Sequence, residues 1–298
     1  MTASIELRGL YVPLVTPFDA AGGIDVASLE ALAVRCLDRG AAGLVALATT
    51  GEATSLDEEE RRVVLEVCAG VCAGRGAPLL VGAGTNDTRT TIARHEALAG
   101  VPGVTASLAV VPYYVRPSEQ AVVAHFRAVA ACSPVPVVVY NIPYRTGRGL
   151  GADALLDLAA TDNVAGVKQA VDGIDADTLR LVAAAPRGFA VLAGDDPYLF
   201  PMTLVGAAGA IAASANVATD RFAAMIAAGL DGRLSEGRDL AEALLPLSLA
   251  LFSEPSPAVI KAVLHGEGAI PTPHVRMPLT DASPEATARA LAVLRGLS

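Results

Sequence analysis

The chain is poor in the residues on which several kinds of chemistry depend. Its 298 residues include two lysines, Lys168 and Lys261, so any reaction that needs a side-chain amine has two candidates. The cysteines, Cys36, Cys68, Cys72 and Cys132, form no CxxC pair or metal spacing, and Cys68 and Cys72 read as small buried hydrophobes in a helical pattern. The histidines are scattered, with no pair at the spacing of a metal site, so no metal is expected. Basic charge is scarce as well: 22 Lys+Arg against 31 Asp+Glu leave a net charge of −9. That balance excludes the basic field with which a general nucleic-acid binder displaces phosphate counterions. Residues 1–8 lack the basic stretch and apolar run of a secretory signal. The longest uncharged stretch, residues 197–219, contains Pro201, Gly206, Gly209, Ser214 and Asn216, and reads as a buried helix, turn and strand, with no membrane span expected. These absences together lead to the expectation of a reduced, cytoplasmic protein.

What is present is apolar and periodic. Hydrophobic residues make up 53% and charged residues 18%, a composition that buries a large core. Short apolar runs fall at residues 11–15, 43–47, 78–82, 105–110, 136–140, 164–168, 190–192 and 209–212. Amphipathic stretches separate them, at 24–39, 57–72, 86–98, 118–131 and 174–185 among others, and Asp57 and Ser118 mark helix starts. Such β-α alternation predicts parallel strands with helical crossovers. Eight units fit a (β/α)8 TIM barrel of the α/β class. The alternative, a doubly wound open sheet, lacks a glycine-rich nucleotide turn after the first strand. The expected organisation is a barrel over residues 1–230 and a C-terminal helical region over residues 231–298 packed on it.

In such a barrel the C-terminal strand ends converge on the active site. The second run ends in Thr49-Thr50-Gly51-Glu52, the fourth leads to Tyr113-Tyr114, and the fifth ends at Tyr140-Asn141 with Arg145 close behind. The sixth ends at Lys168 and the seventh at Gly194-Asp195-Asp196. An amine that enters the barrel is desolvated, which favours the neutral form that attacks carbonyls. The competing readings are a lysine that snorkels to solvent or pairs with Asp195. Tyr140 can shuttle protons during imine chemistry, or serve as a core aromatic. Hydroxyls and amides at Thr49 and Thr50 suit a carboxylate, with helix capping as the plainer role. The Arg145 fork can hold a second carboxylate; alone it would be an ordinary loop arginine. Lys261, in the tail, is expected on a solvated helix face.

These pieces, in this order, resemble the dihydrodipicolinate synthase/N-acetylneuraminate lyase family of pyruvate-dependent class I aldolases. The resemblance also takes in Val15-Thr16-Pro17-Phe18, Gly82-Ala83-Gly84, Ala215-Asn216-Val217 and Arg276-Met277-Pro278-Leu279, and so covers nearly the whole chain. It implies that Lys168 forms a Schiff base with pyruvate, with no cofactor beyond this covalent imine. It also implies a proton relay of Thr50, Tyr140 and a Tyr114 supplied by a neighbouring subunit. Thr49 and Thr50 would hold the pyruvate carboxylate, with Gly194 and the Ile211 carbonyl lining the substrate site. Arg145 resembles the synthase branch, where the arginine anchors the carboxylate of aspartate semialdehyde. The implied partners are a small 2-oxo acid and an aldehyde, and the implied assembly is a homotetramer, a dimer of dimers. The implied reaction serves lysine and diaminopimelate biosynthesis; the alternatives are a sister aldolase or dehydratase with another acceptor, or a silent ligand-binding paralogue.

Four departures stand out: Ala48, Tyr144, Gln169 and Ala212 replace residues usual at those places, and Tyr144 and Gln169 are expected near the second substrate. Lysine-inhibited relatives bind lysine with an Asn, a Glu, a His and a Tyr at a subunit interface. Here Asn86 and Tyr113 match, whereas Thr90 and Glu58 stand at the Glu and His positions, with helix capping as the plainer role for Asn86.

Overall fold

Eight short strands, most of them buried along their whole length, pair in parallel and in sequence order until the eighth meets the first. They are β1 (Gly9–Pro13), β2 (Gly43–Ala46), β3 (Leu79–Gly82), β4 (Val104–Val110), β5 (Val137–Asn141), β6 (Val164–Gln169), β7 (Ala190–Ala193) and β8 (Gly209–Ile211). Burial on both faces is what a parallel sheet requires when helices cover its outside, and it explains the continuous Val/Leu/Ala runs. The computed structural model describes residues 5–297 and is a closed (β/α)8 barrel, as the alternation predicts.

The helices between the strands are α1 (Val26–Asp38), α2 (Glu58–Arg75), α3 (Thr88–Glu96), α4 (Glu119–Cys132), the single turn α5 (Pro143–Thr146), α6 (Ala152–Ala159), α7 (Ala176–Ala184) and α8 (Leu199–Leu204). Their starts follow from local chemistry. Asp25, Asp57, Asp87, Ser118 and Asp175 each accept a hydrogen bond from an otherwise orphaned backbone N–H. At Asp57 the Glu60 carboxylate accepts the reciprocal bond from the cap's own amide, closing a capping box. Residues 197–219 form a helix, a turn and a strand as expected, and among the described residues no helix is long and apolar enough to cross a membrane.

After β8 the chain is helical: α9 (Thr219–Leu230), α10 (Leu234–Leu251), α11 (Ala258–Gly266) and α12 (Pro284–Gly296). The apolar interior divides into two bodies. One fills the layer between strands and helices; the other, including Tyr11, Leu80, Val138, Leu192 and Ile211, fills the barrel itself. The lumen is therefore plugged, and its polar end lies at the strand C-termini.

Candidate active site

Lys168 and Tyr140 occupy the same register on adjacent strands β6 and β5, so both side chains point into the barrel at one level. The Lys168 ammonium nitrogen lies 4.2 Å from the centre of the Tyr140 ring, and each residue is 6% exposed. Burial pulls the Lys168 pKa down to about 8, with Asp196 and Asp195 acting in the opposite direction. Those carboxylates are engaged elsewhere. Asp196 accepts the Ser214 N–H at 2.6 Å, and Asp195 accepts the Asp172 N–H at 2.7 Å. Burial raises both carboxyl pKa values. Among the described residues Lys168 forms no ion pair, so neither alternative for this lysine, exposure or pairing with Asp195, is the one observed.

Burial likewise pushes the Tyr140 phenol well above its ordinary pKa, countered by the Arg145 charge and the Thr49 side chain. The hydroxyl beside this phenol belongs to Thr49 and not to Thr50, the relay residue that the resemblance implies; Thr50, buried at 6% exposure, faces the Lys168 cavity. A cavity of about 400 Å³ opens over Lys168, lined among others by Thr49, Thr50, Tyr144, Gly194 and Asp195. A second cavity, of about 350 Å³, reaches toward Arg61 and Arg94. Thr49, Tyr140, Ile142, Arg145 and Ser256 line both, so the two form one groove.

Gly194 is required sterically. A Cβ there would stand 2.9 Å from Lys168 Cε and 3.0 Å from the Gln169 carbonyl oxygen, in the space through which the lysine passes. Arg145 projects from α5 at the cavity mouth, where its Nε donates to the Tyr144 hydroxyl at 2.9 Å and its guanidinium stands 5.0 Å from that ring. Tyr144 therefore braces the arginine from one edge and leaves its terminal nitrogens free for a ligand. Tyr114 is 87% exposed, at φ 71°, and lines neither cavity of its own chain. Ile211 is fully buried in the lumen, two residues before Ala213, which lines the Lys168 cavity.

Two further expectations require correction. Gln169 lines neither cavity. Alternation along β6 turns it outward, where its Oε1 accepts from Asn141 at 2.9 Å and its Nε2 donates to Thr178 at 3.0 Å. Lys261 is not solvated either: its side chain is fully buried and its Nζ donates to Glu52 at 2.8 Å. The α11 run Ala258 to Leu264 is buried at every residue, so the lysine is enclosed by its own helix's packing and is tolerated because Glu52 supplies the opposite charge. Sequence reasoning also missed Glu52 and Arg276 as partners. The signal was there in a helix apolar all round with one lysine in it.

A barrel with a buried amine of lowered pKa at one strand end, a phenol beside it and no carboxylate bound to it defines a class I, Schiff-base-forming lyase. The comparisons agree. The profile of the Dihydrodipicolinate synthetase family matches residues 6–296, and the chain belongs to that family. It is 37% identical over 289 residues to a 4-hydroxy-tetrahydrodipicolinate synthase of Neisseria meningitidis serogroup B, covering 97% of this chain and 98% of that one. An Enterococcus faecalis protein of the same name is 36% identical over 285 residues, covering 96% and 97%. Among solved structures, dihydrodipicolinate synthase from Thermotoga maritima superposes with a TM-score of 0.94 at 32% identity, covering 99% of this chain and 100% of that one. A structure described as the first monomeric dihydrodipicolinate synthase variant also reaches 0.94, at 31% identity with 98% and 97% coverage.

Proposed function

We propose that this enzyme is a 4-hydroxy-tetrahydrodipicolinate synthase that condenses pyruvate with aspartate semialdehyde through an imine at Lys168. The observation that carries the reading is the Lys168 amine itself, buried, unpaired and level with the Tyr140 phenol. A neutral amine there adds to the keto carbon of pyruvate, and loss of water leaves the imine. Removal of a methyl proton then gives an enamine that attacks the aldehyde carbon of the second substrate. Each step moves a proton, and Tyr140 with the neighbouring threonine hydroxyls is placed to carry it. The position of Thr49 beside the phenol supports Thr49 as the hydroxyl partner of Tyr140, with Thr50 holding the pyruvate carboxylate inside the cavity. Gly194 gives the lysine room, and in this reading the Ile211 carbonyl lines the substrate site. Arg145, braced by Tyr144, pairs with the carboxylate of the acceptor.

The same reading includes an assembly in which Tyr114 completes the relay of a neighbouring subunit, which its exposure and its absence from its own cavity support. A dimer of dimers is the arrangement proposed. A relative described as a monomeric variant shares the fold, so the assembly is to be established in solution. No cofactor beyond the covalent imine enters the scheme, and the reaction is assigned to the cytoplasm. Incubation with pyruvate and borohydride, followed by a screen of aldehydes for pyruvate consumption, tests the reading: an adduct with activity on aspartate semialdehyde is expected. An adduct with activity only on another aldehyde would assign the chain to a sister reaction, and no adduct would remove the enzyme reading.

A further inference from the structure

The turn that carries Thr49 and Thr50 is held from behind by the C-terminal region. Its last residue, Glu52, has its side chain 1% exposed, and both carboxylate oxygens are occupied. Oε1 accepts from Lys261 Nζ at 2.8 Å, and Oε2 accepts from the Arg276 backbone N–H at 2.7 Å. Glu52 and Lys261 are 209 residues apart, so Glu52 ties the β2 turn to α11 and, through the Arg276 amide, to the irregular segment that follows it. The surrounding contacts reinforce the tie. Two cations lie over the Phe18 ring, Lys261 Nζ at 4.0 Å and the Arg276 guanidinium at 4.4 Å from its centre. Arg276 also donates to the Ser55 carbonyl at 2.8 Å and to Glu60 at 2.6 Å.

The backbone that this tie restrains is an unusual one. Leu47 and Glu52, the residues bracketing the turn, have φ of 56° and 53°, in the left-handed region that side-chain-bearing residues avoid. Such conformations persist where the surroundings over-determine them, and they cluster at functional sites. Inside the turn, Glu52 N–H donates to the Thr49 carbonyl at 3.1 Å and Thr16 Oγ1 donates to the Gly51 carbonyl at 2.8 Å. A buried ion pair is no better for stability than a well-packed apolar pair, but it has one geometry where an apolar contact has many.

We propose that Glu52 is a positioning residue, fixed by Lys261 and Arg276, that holds the Thr49-Thr50 turn at the register the Lys168 cavity requires. The inference rests on the assignment of Lys168 and the threonines made above, and it extends the functional unit to α11 and Arg276. Glu52 lies outside the lining of the Lys168 cavity, and its effect reaches the reaction through the two threonines.

The test is a mutant cycle read by the rate of borohydride-trapped pyruvate imine formation, with each protein assayed well below its own melting temperature. Glu52→Gln leaves Lys261 without its counter-charge, so it is paired with Glu52→Gln/Lys261→Met, which removes the orphaned charge, and with Glu52→Asp, which keeps the charge but retracts it. The double variant is expected to melt close to wild type yet form the imine about 100-fold more slowly, the scale of loss that small misplacements produce. Glu52→Asp is expected to be slow in the same way. In a Thr49→Val/Thr50→Val background the further loss from Glu52→Gln/Lys261→Met is expected to shrink to about two-fold, because both hydroxyls that the turn positions are already gone. Wild-type imine rates in the double variant or in Glu52→Asp, or full additivity with Thr49→Val/Thr50→Val, would overturn the proposal. The wild-type adduct is measured first: its absence would sink the Lys168 assignment, whereas its presence with unchanged variants sinks only the role given to Glu52.

Discussion

Lys168 and Tyr140 are register partners on neighbouring parallel strands, and the amine sits 4.2 Å from the centre of the phenol ring. Two consecutive strands of a closed barrel thus deliver a nucleophile and a proton carrier to one point without help from a loop. The pairing also isolates the amine. Its neighbours are a ring face, a glycine and two carboxylates bonded to backbone amides, none of which forms an ion pair with it.

The first prediction follows from that isolation. With the folded Lys168 pKa near 8 and the ordinary value 10.5, the imine-forming rate should rise with pH and level off near 8. A rise that continues past pH 10 would mean an ordinary solvated amine. The same shift sets a stability trend. Below pH 8 the amine is charged in both folded and unfolded chains, and the folded state bears the full desolvation penalty, on the order of 3 kcal/mol. Between pH 8 and 10.5 the unfolded chain holds more protons, so the penalty is relieved as pH rises. Lys168→Met should therefore raise the melting temperature at neutral pH and gain less at pH 10; a variant that melts lower at pH 7 would contradict this.

Arg145 is the second test. Arg145→Ala should leave the pyruvate imine intact and weaken the acceptor by loss of a charge-assisted hydrogen bond, roughly 1.5–3 kcal/mol or about 10- to 150-fold in kcat/KM. Tyr144→Phe, which removes the hydroxyl that accepts from Arg145 Nε, should produce a smaller loss in the same direction. Steady-state kinetics at saturating pyruvate measure both, and acceptor kinetics unchanged in Arg145→Ala would remove the synthase assignment's main support.

The barrel was legible in the sequence because strict alternation of apolar runs and capped amphipathic stretches has few other solutions. Lys168, Tyr140 and Arg145 were legible for a related reason: each closes or follows a strand run, and strand ends in a barrel converge. Lys261 reads as solvated from its place in the tail, but its six buried helix neighbours are uniformly apolar, which signals an enclosed helix. Its partner Glu52 lies 209 residues away, a separation that local pattern does not bridge. Gln169 was misread for want of counting by two from Lys168, since adjacent strand residues point to opposite faces.

Assembly is tested by mixing. Tyr114→Phe and Lys168→Ala subunits should each be inactive or nearly so, and exchange between them should restore part of the activity in hybrid sites. Native mass spectrometry establishes the exchange. Exchange without recovery would place Tyr114's role within its own chain.

Lysine is expected to be a poor inhibitor. Thr90, at the position where lysine-inhibited relatives carry Glu, uses its amide and hydroxyl to bond Asp87 at 2.7 and 2.6 Å, and Asp87, not Asn86, caps the helix. Glu58 lies 3.6 Å from Arg94 and 4.0 Å from Arg61, so its charge is already matched. Loss of one hydrogen bond to the charged ligand moves a sub-millimolar inhibitor well above about 1 mM. Initial rates against lysine at fixed substrates check this, and half-maximal inhibition below about 1 mM would refute it.

The most direct measurement is the covalent one. The wild-type enzyme is incubated with pyruvate, reduced with borohydride, digested and mapped by mass spectrometry, beside Lys168→Ala and Lys168→Arg. The predicted result is one reduced pyruvate adduct on the Lys168 peptide of the wild type and none on either variant, since a guanidinium stays protonated and does not attack a carbonyl. An adduct on Lys261, or one that survives in either variant, would contradict the assignment of Lys168 as the nucleophile.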